Sequence, residues 1–484
     1  MRIVQTFWTA GHNPLEHSFG WLRPEYNLMS WALSLLCLRK HYNEVALYTD
    51  KQGKHVLIDL LHLPYTEVNV VYDETLCLPQ HWSYAKVKTY SLQTKPFFHV
   101  DGDIFLFKPI PEDVIKAPLI AQSKENGTEY YRQMMDKILQ ESNLQLPKYV
   151  EDGLKEESIA SYNMGLFGGN DMNFIHAYSE EALALCDKNK AICLNGNFNL
   201  LFEQMFFAFK ARKEGLSVST IFPKVFNDNG YTVAEFCQLN RHDEIWFFHL
   251  LGGHKRNQEV IETFVETFIT LFPDYYKRIV SLYPHLYPRG IAKGFICQLM
   301  MKTDIPIKSY IDFLNEAEND WSALSWEDLV GVEIQRAEGK KLSCVKDGLN
   351  DIIVCINPYL KCFEVPSNWD EESIQIIRKR LSQKEDVPVQ KIAVIPTLSA
   401  KLRREFVLFE LENQVLEQMK DHPMQVSELL DRLIQMCKSE AMRLLWQTQI
   451  RILLSEGLII PNHYNNFLNL QLWQQKVQEG IPTH

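Results

Sequence analysis

The 484-residue chain has no excess of positive charge; its net charge at pH 7 is −11. Non-specific nucleic-acid binding needs a basic surface that displaces counterions, so this balance argues against a nucleic-acid partner. Local nucleotide binding stays open, because a metal ion can supply the positive charge. No run of about 18 apolar residues is present, so no membrane-spanning helix is expected, although peripheral attachment stays open. The opening residues MRIVQTFWTAGH do not read as a secretory signal, since Gln5 and Thr6 break an already short apolar stretch. None of the ten cysteines forms a C-x-x-C pair, which argues against a structural zinc site. Scattered through apolar segments, they read as reduced core residues of a cytoplasmic protein. Internal repeats and low-complexity segments are also missing.

What is present is ordinary globular composition with a raised aromatic share of 12%, which fills cores or stacks on sugars and bases. At about 150 residues per domain, the length suggests two or three domains. Strand and helix patterns alternate over the first 110 residues. Ile3 to Trp8, Val45 to Tyr48, Val68 to Tyr72 and Phe97 to Val100 read as strands. Pro24 to Tyr42, Gly53 to His62 and Tyr84 to Leu92 read as the helices between them. This alternation predicts an α/β fold with a mostly parallel sheet and helices on both faces. Ligands of such sheets bind beyond the carboxyl ends of the strands, which puts Thr9 to His12, Thr49, Asp50, Asp73 and Asp101 to Asp103 in the expected place. Residues 120–160 are polar and charged and read as a helical insertion or lid. Ser161 to Gly169 reads as a strand, 197–214 as an apolar helix, and Ile245 to His249 as a short strand.

The segment Phe97-Phe98-His99-Val100-Asp101-Gly102-Asp103 places two carboxylates at the tip of an apolar strand. Carboxylates this close repel unless a cation or a proton intervenes. Such hard oxygen ligands suit Mg²⁺ or Mn²⁺, which also accept diphosphate oxygens. The alternative is a solvated turn at the strand end. A second segment, Phe247-Phe248-His249-Leu250-Leu251-Gly252-Gly253-His254-Lys255, ends a strand on a histidine. His249 is either a third metal ligand or a satisfied core histidine. Gly252 permits close backbone approach to a phosphate, and Lys255 can neutralise one.

Together, D-G-D and H-x-x-G-x-x-K resemble the retaining GT-A glycosyltransferases of the glycogenin and lipopolysaccharide-galactosyltransferase type, and related bacterial proteins. The resemblance covers about residues 1–260. It implies a GT-A (Rossmann-like) fold, with Asp101, Asp103 and His249 binding Mn²⁺ (or Mg²⁺) and Lys255 and Gly252 at the diphosphate of a nucleotide sugar, a UDP-sugar by likeness. Asn163-Met164-Gly165-Leu166-Phe167 resembles the family's F-N-x-G strand, which puts Asn163 and Gly165 at the sugar. Glu203-Gln204 resembles its D-Q pair, which makes Glu203 a candidate near the anomeric carbon. Lys86 stands where the family often has a basic residue, and Thr9, Ala10 and Gly11 fall where the base is contacted. Plainer roles stay open: a turn at Asn163 and Gly165, a solvated helix position at Glu203, a surface charge at Lys86. The chain departs from the pattern at Arg256-Asn257 and at Glu203, and residues 113–160 have no counterpart.

A change of character near residue 290 predicts three parts: a catalytic domain over 1–290, a mixed α/β connecting region over 291–400, and a helical domain over 401–484. Ile352 to Ile356 and Ile392 to Ile395 read as short strands, and Lys401 to about Glu456 as a helical tract. Within the last, Phe406 to Met419, Val426 to Met436 and Glu440 to Leu454 followed by Leu458 to Ile460 resemble a winged-helix unit. Glu440 and Glu456 beside Arg443 and Arg451 make a poor DNA-reading helix, so docking of a protein or peptide is the sharper expectation. The function expected is metal-dependent transfer of a sugar to an acceptor that is a glycan, a lipid-linked glycan or a peptide. The alternative is a non-catalytic nucleotide-sugar or carbohydrate-binding protein on the same fold.

Overall fold

A computed structural model describes residues 1–141, 143–191, 198–227, 233–284, 286, 307–345, 347–381, 383, 388–398 and 403–462. The chain divides into two compact units, Met1–Val265 and Glu266–Gly480. The expected boundary near 290 falls outside the described residues.

The first unit is built on a seven-stranded sheet of order β3-β2-β1-β4-β7-β6-β8. Its strands are β1 (Arg2–Phe7), β2 (Val45–Thr49), β3 (Glu67–Val70), β4 (Phe97–Val100), β6 (Ile120–Gly127), β7 (Ile159–Gly169) and β8 (Ser219–Asn227). The first four run parallel, β7 runs antiparallel to both β4 and β6, and β6 and β8 are again parallel. This mixed, mostly parallel, Rossmann-like sheet is of the expected α/β class. β2 and β4 are buried at every position, as strands covered on both faces must be. A two-stranded antiparallel sheet lies apart: β5 (Ile104–Leu106) pairs with β9 (Phe247–His249), and Ile104 faces His249.

Helices cover the sheet. Pro24–Arg39 starts with proline in its first turn beside Glu25 and ends on Arg39, matching the helix dipole at both ends. Asp50 caps the next helix by accepting from the Gly53 amide, an interaction worth about 1 kcal/mol. Ser83–Ser91 precedes β4, and a π-helical stretch Leu200–Met205 runs into the helix Phe206–Lys213.

One expectation is corrected here. Residues 120–160 are not a helical insertion: Ile120–Gly127 is β6, an interior strand, and among the described residues of the segment only Tyr130–Leu139 and Lys148–Leu154 are helical. The segment looked soluble because β6 buries Gln122, Ser123 and Glu125, polar side chains on an interior strand.

The second unit holds two three-stranded antiparallel sheets. One joins β11 (Lys361–Glu364), β12 (Lys391–Pro396) and β13 (Arg403–Leu408). The other puts β10 (Ile353–Ile356) between β14 (Met424–Gln425) and β15 (Ile459–Pro461). The helices Glu410–Met419, Val426–Cys437 and Arg443–Glu456 pack around a core that includes Leu429, Trp446 and Leu453. The expected helical tract therefore starts late, since Arg403–Leu408 is a strand. Its charged residues are paired sideways: Arg403 and Arg380 both meet Glu405. Arg336 is buried between Glu266 and Glu333, at 2.7 Å from each, so its guanidinium charge is compensated twice. No described helix is long and apolar enough to cross a membrane.

Candidate functional site

The carboxyl end of β4 carries the site. The chain leaves β4 at Asp101, whose amide donates to the Gly165 carbonyl of β7 at 2.8 Å. It then turns tightly, the Ile104 amide donating back to the Asp101 carbonyl at 3.1 Å. Gly102 in this turn lies on the Trp31 indole, where an added Cβ would come within 2.6 Å of the ring. Ser30 on the same helix donates to the Gly102 carbonyl at 2.7 Å. The Leu250 amide donates to the Asp103 carbonyl at 3.0 Å, which fixes His249 against the second aspartate.

One ligand atom each from Asp101, Asp103 and His249 comes within 4.8 Å of the other two. His249 Nε2 lies 3.3 Å from Asp103 Oδ1, and His249 Nδ1 lies 2.7 Å from Gln122 Oε1. Nδ1 thus faces Gln122 and Nε2 faces the aspartates. Gly165 makes room for the ring: a Cβ there would stand 2.4 Å from His249 Cε1 and 2.9 Å from Gln122 Oε1.

Two lysines offset the carboxylates. Lys255 Nζ pairs with Asp103 Oδ2 and lies 5.6 Å from the centre of the Trp21 ring. Lys86 Nζ is 2.9 Å from Asp101 Oδ2 and 2.9 Å from Glu203 Oε1. The surface-charge reading of Lys86 is thereby overturned, because the side chain is buried and bridges two acids. Burial alone would lower the Lys86 pKa, but Asp101 and Glu203 outweigh it and hold it above the ordinary value. Glu203 is fully buried; burial pushes its carboxyl up against the pull of Lys86. The solvated helix position is therefore also ruled out.

The two aspartates are driven apart. Burial lifts Asp101 to about 6, helped by Asp103 and opposed by Lys86. Burial also works to raise Asp103, but Lys255 and His249 outweigh it and hold that carboxyl well below the usual range. A cation at the triad must displace the Asp101 proton below that pH. Metal affinity in the absence of nucleotide should therefore fall by about tenfold per pH unit below about 6, and Asp101 should add no further slope above it. Calorimetric Mn²⁺ titrations from pH 5 to 8 check this; an affinity flat between 5 and 6 would contradict it.

The other expected residues lie nearby in two groups. Asn163 is buried, accepts from the Gly165 amide at 3.0 Å and donates to Glu125 at 3.2 Å, so its amide shapes the strand that carries Gly165. Thr9, Thr49 and Asp50 form a buried knot at the ends of β1 and β2. Asp50 Oδ2 accepts from the Thr9 amide at 2.6 Å and from its hydroxyl at 2.8 Å, and Thr49 donates to the Phe7 carbonyl at 2.6 Å. Ala10 and Gly11 follow in left-handed conformation, at φ of 53° and 79°. Gly252, at φ 47°, has open space where a side chain would stand.

Gln122 and His99 were not foreseen. His99 Nε2 lies 3.0 Å from Thr6 Oγ1, and its Nδ1 lies 3.5 Å from Asp101 Oδ1. Burial, with the Lys86 charge, pushes its pKa well below the usual value, so it stays neutral behind the aspartate. The only hint was a polar residue inside the apolar run Phe97–Val100.

A family model described as a family of unknown function, DUF6734, matches residues 1–282. No curated protein matches the chain in sequence. Among solved structures, the chain is similar to the glycosyltransferase GlyE of Streptococcus pneumoniae TIGR4, at TM-score 0.30 and 10% identity. That match covers 59% of this chain and 63% of the other, so less than two thirds of that protein's length is spanned.

Proposed function

The chain belongs to the family of unknown function DUF6734, and from its own site we propose that it is a cytoplasmic, metal-dependent glycosyltransferase. It would take a nucleotide sugar, a UDP-sugar, and pass the sugar to an acceptor with retention of configuration. The observation that carries this reading is the meeting of Asp101, Asp103 and His249 within 4.8 Å, with Lys255 paired to Asp103. Two acids and an imidazole suit Mn²⁺ or Mg²⁺. The fit has a further sign: Asp103 Oδ1 is buried and accepts no hydrogen bond. When bound, the ion would act as a Lewis acid that neutralises charge on the diphosphate.

The chain's own residues do the rest. Lys255 adds a compact positive charge for the departing diphosphate, beside the open backbone at Gly252. Lys86 fixes the orientation of Asp101 and is itself fixed by Glu203. Glu203 and Asn163 therefore serve as positioning residues, one through Lys86 and the other through Gly165. The Thr9 to Gly11 loop, tied down by Asp50, is the proposed base-binding edge.

Calorimetry with Mn²⁺ and UDP, followed by a hydrolysis screen of UDP-, GDP- and dTDP-sugars, tests the reading. Nucleotide binding without turnover of any donor would favour the non-catalytic alternative; no metal-dependent nucleotide binding would end both. Lys255→Ala should weaken donor use by about 1.5–3 kcal/mol, the range for a charged hydrogen bond. Unchanged kinetics at saturating Mn²⁺ would place Lys255 outside the donor site.

A further inference from the structure

A cavity of about 260 Å³ opens beside the triad; His249 belongs to both, and Gln122, which contacts its ring, also lines the cavity. Five phenylalanines line it: Phe222 and Phe226 from β8, Phe247 and Phe248 from β9, and Phe236. Phe222, Lys224 and Phe226 are spaced by two along β8, so one face of that strand points at the cavity. The rings already meet edge to face. Phe222 and Phe247 are 5.1 Å apart at 80°, and Phe236 and Phe248 are 6.0 Å apart at 83°. Lys224, Glu235 and Gln238 contribute the polar part of the lining.

We propose that this cavity is the acceptor site and that it takes an aromatic ring attached to the hydroxyl-bearing part of the acceptor. The inference rests on the glycosyltransferase reading and adds the chemical class of the acceptor. A bare sugar presents hydroxyls on every side and needs many polar partners. This wall sets five phenyl rings beside its polar side chains, and their edges and faces suit another ring. The volume accommodates a single substituted ring, not a long lipid chain. The shared wall at Gln122 and His249 directs the acceptor hydroxyl to the donor side. In the transfer, the hydroxyl oxygen bonds to the anomeric carbon of the donor sugar. The bond from that carbon to the diphosphate oxygen breaks, its electron pair leaves with the nucleoside diphosphate, and the hydroxyl proton is released to solvent.

The test uses the full chain with benzyl β-D-glucopyranoside and methyl β-D-glucopyranoside, which differ only in the aglycone. Saturation-transfer NMR should place the benzyl ring protons against the protein, with the methyl glycoside bound at least about tenfold more weakly, as loss of a buried ring implies. Phe222→Trp, which fills the cavity and keeps it apolar, should weaken benzyl-glycoside binding by about tenfold while the Mn²⁺-supported UDP affinity stays unchanged. A second variant, Phe247→Leu, should also weaken the ring contact and guards against misfolding of the first. Equal binding of the two glycosides, or ring contacts indifferent to both variants, would overturn the aromatic acceptor site. Absence of Mn²⁺-supported UDP binding in the wild type would instead overturn the glycosyltransferase reading, whatever the glycosides do.

Discussion

Asp103→Ala is expected to remove Mn²⁺-supported UDP binding and to lower donor turnover by on the order of 10²–10³-fold, the loss typical of one electrostatic element of a site. Two contacts converge on this carboxylate, His249 Nε2 at 3.3 Å and the Lys255 ammonium. Alanine leaves Lys255 and His249 facing each other with no anion between them. Part of the effect will register in stability. The folded-state pKa of Asp103 is depressed, so its contribution is present at neutral pH and lost as pH falls below the ordinary carboxylate range. The variant should thus melt lower than wild type at pH 7, and the gap should begin to narrow only below about pH 4, where the unfolded carboxyl takes up its proton. Thermal melts across that range, beside calorimetry with Mn²⁺ and UDP, separate the two effects. Retained metal-dependent UDP binding would remove Asp103 from the ligand set.

The second large effect needs only a methyl group. Gly165→Ala puts a Cβ 2.4 Å from His249 Cε1 and 2.7 Å from its Nδ1, with Gln122 Oε1 at 2.9 Å. All three distances are shorter than real Cβ contacts, so the imidazole must swing away and give up its bond to Gln122. A ligand displaced by about 1 Å costs on the order of 10²-fold in rate. Overpacking at a buried strand adds about 1–3 kcal/mol of destabilisation. Metal affinity should fall more steeply than the melting temperature, because the fault lies at the ring and the strand can absorb it. A variant that binds Mn²⁺ like wild type while melting much lower would mean that the ring has another way to relax. His249 would then not be held by this packing.

Both residues illustrate what could be read from the sequence. Asp101, Asp103, His249 and Lys255 stand in short, fixed spacings, and their residue types name their chemistry. β2 and β4 were legible because a strand buried on both faces must be a run of apolar residues, and VALYT and FFHV are such runs. β6 was not legible for the converse reason. It buries Gln122, Ser123 and Glu125, so an interior strand of the sheet carries the composition of a surface loop. β13 was hidden likewise, because Arg403 pairs with Glu318 and Glu405 with Arg380, side chains distant in sequence. Gln122 owes its place to the fold, which brings it to a histidine 127 residues on, and no local pattern encodes that meeting. Glu203 was picked out by its neighbour Gln204, but its actual partner, Lys86, could not be seen until the helix Ser83–Ser91 was laid against it.

The floor of the D-G-D turn has an optical consequence. The Trp31 indole touches Gly102, between two of the three candidate ligands, and the Trp21 ring lies 5.6 Å from the ammonium of Lys255. On the proposed reading, one indole would lie beside a bound ion and another beside the diphosphate. A paramagnetic ion quenches nearby excited indoles, whereas a closed-shell ion such as Mg²⁺ does not. The emission of the unlabelled chain would then fall with Mn²⁺ and not with Mg²⁺, a readout that needs no nucleotide and no turnover.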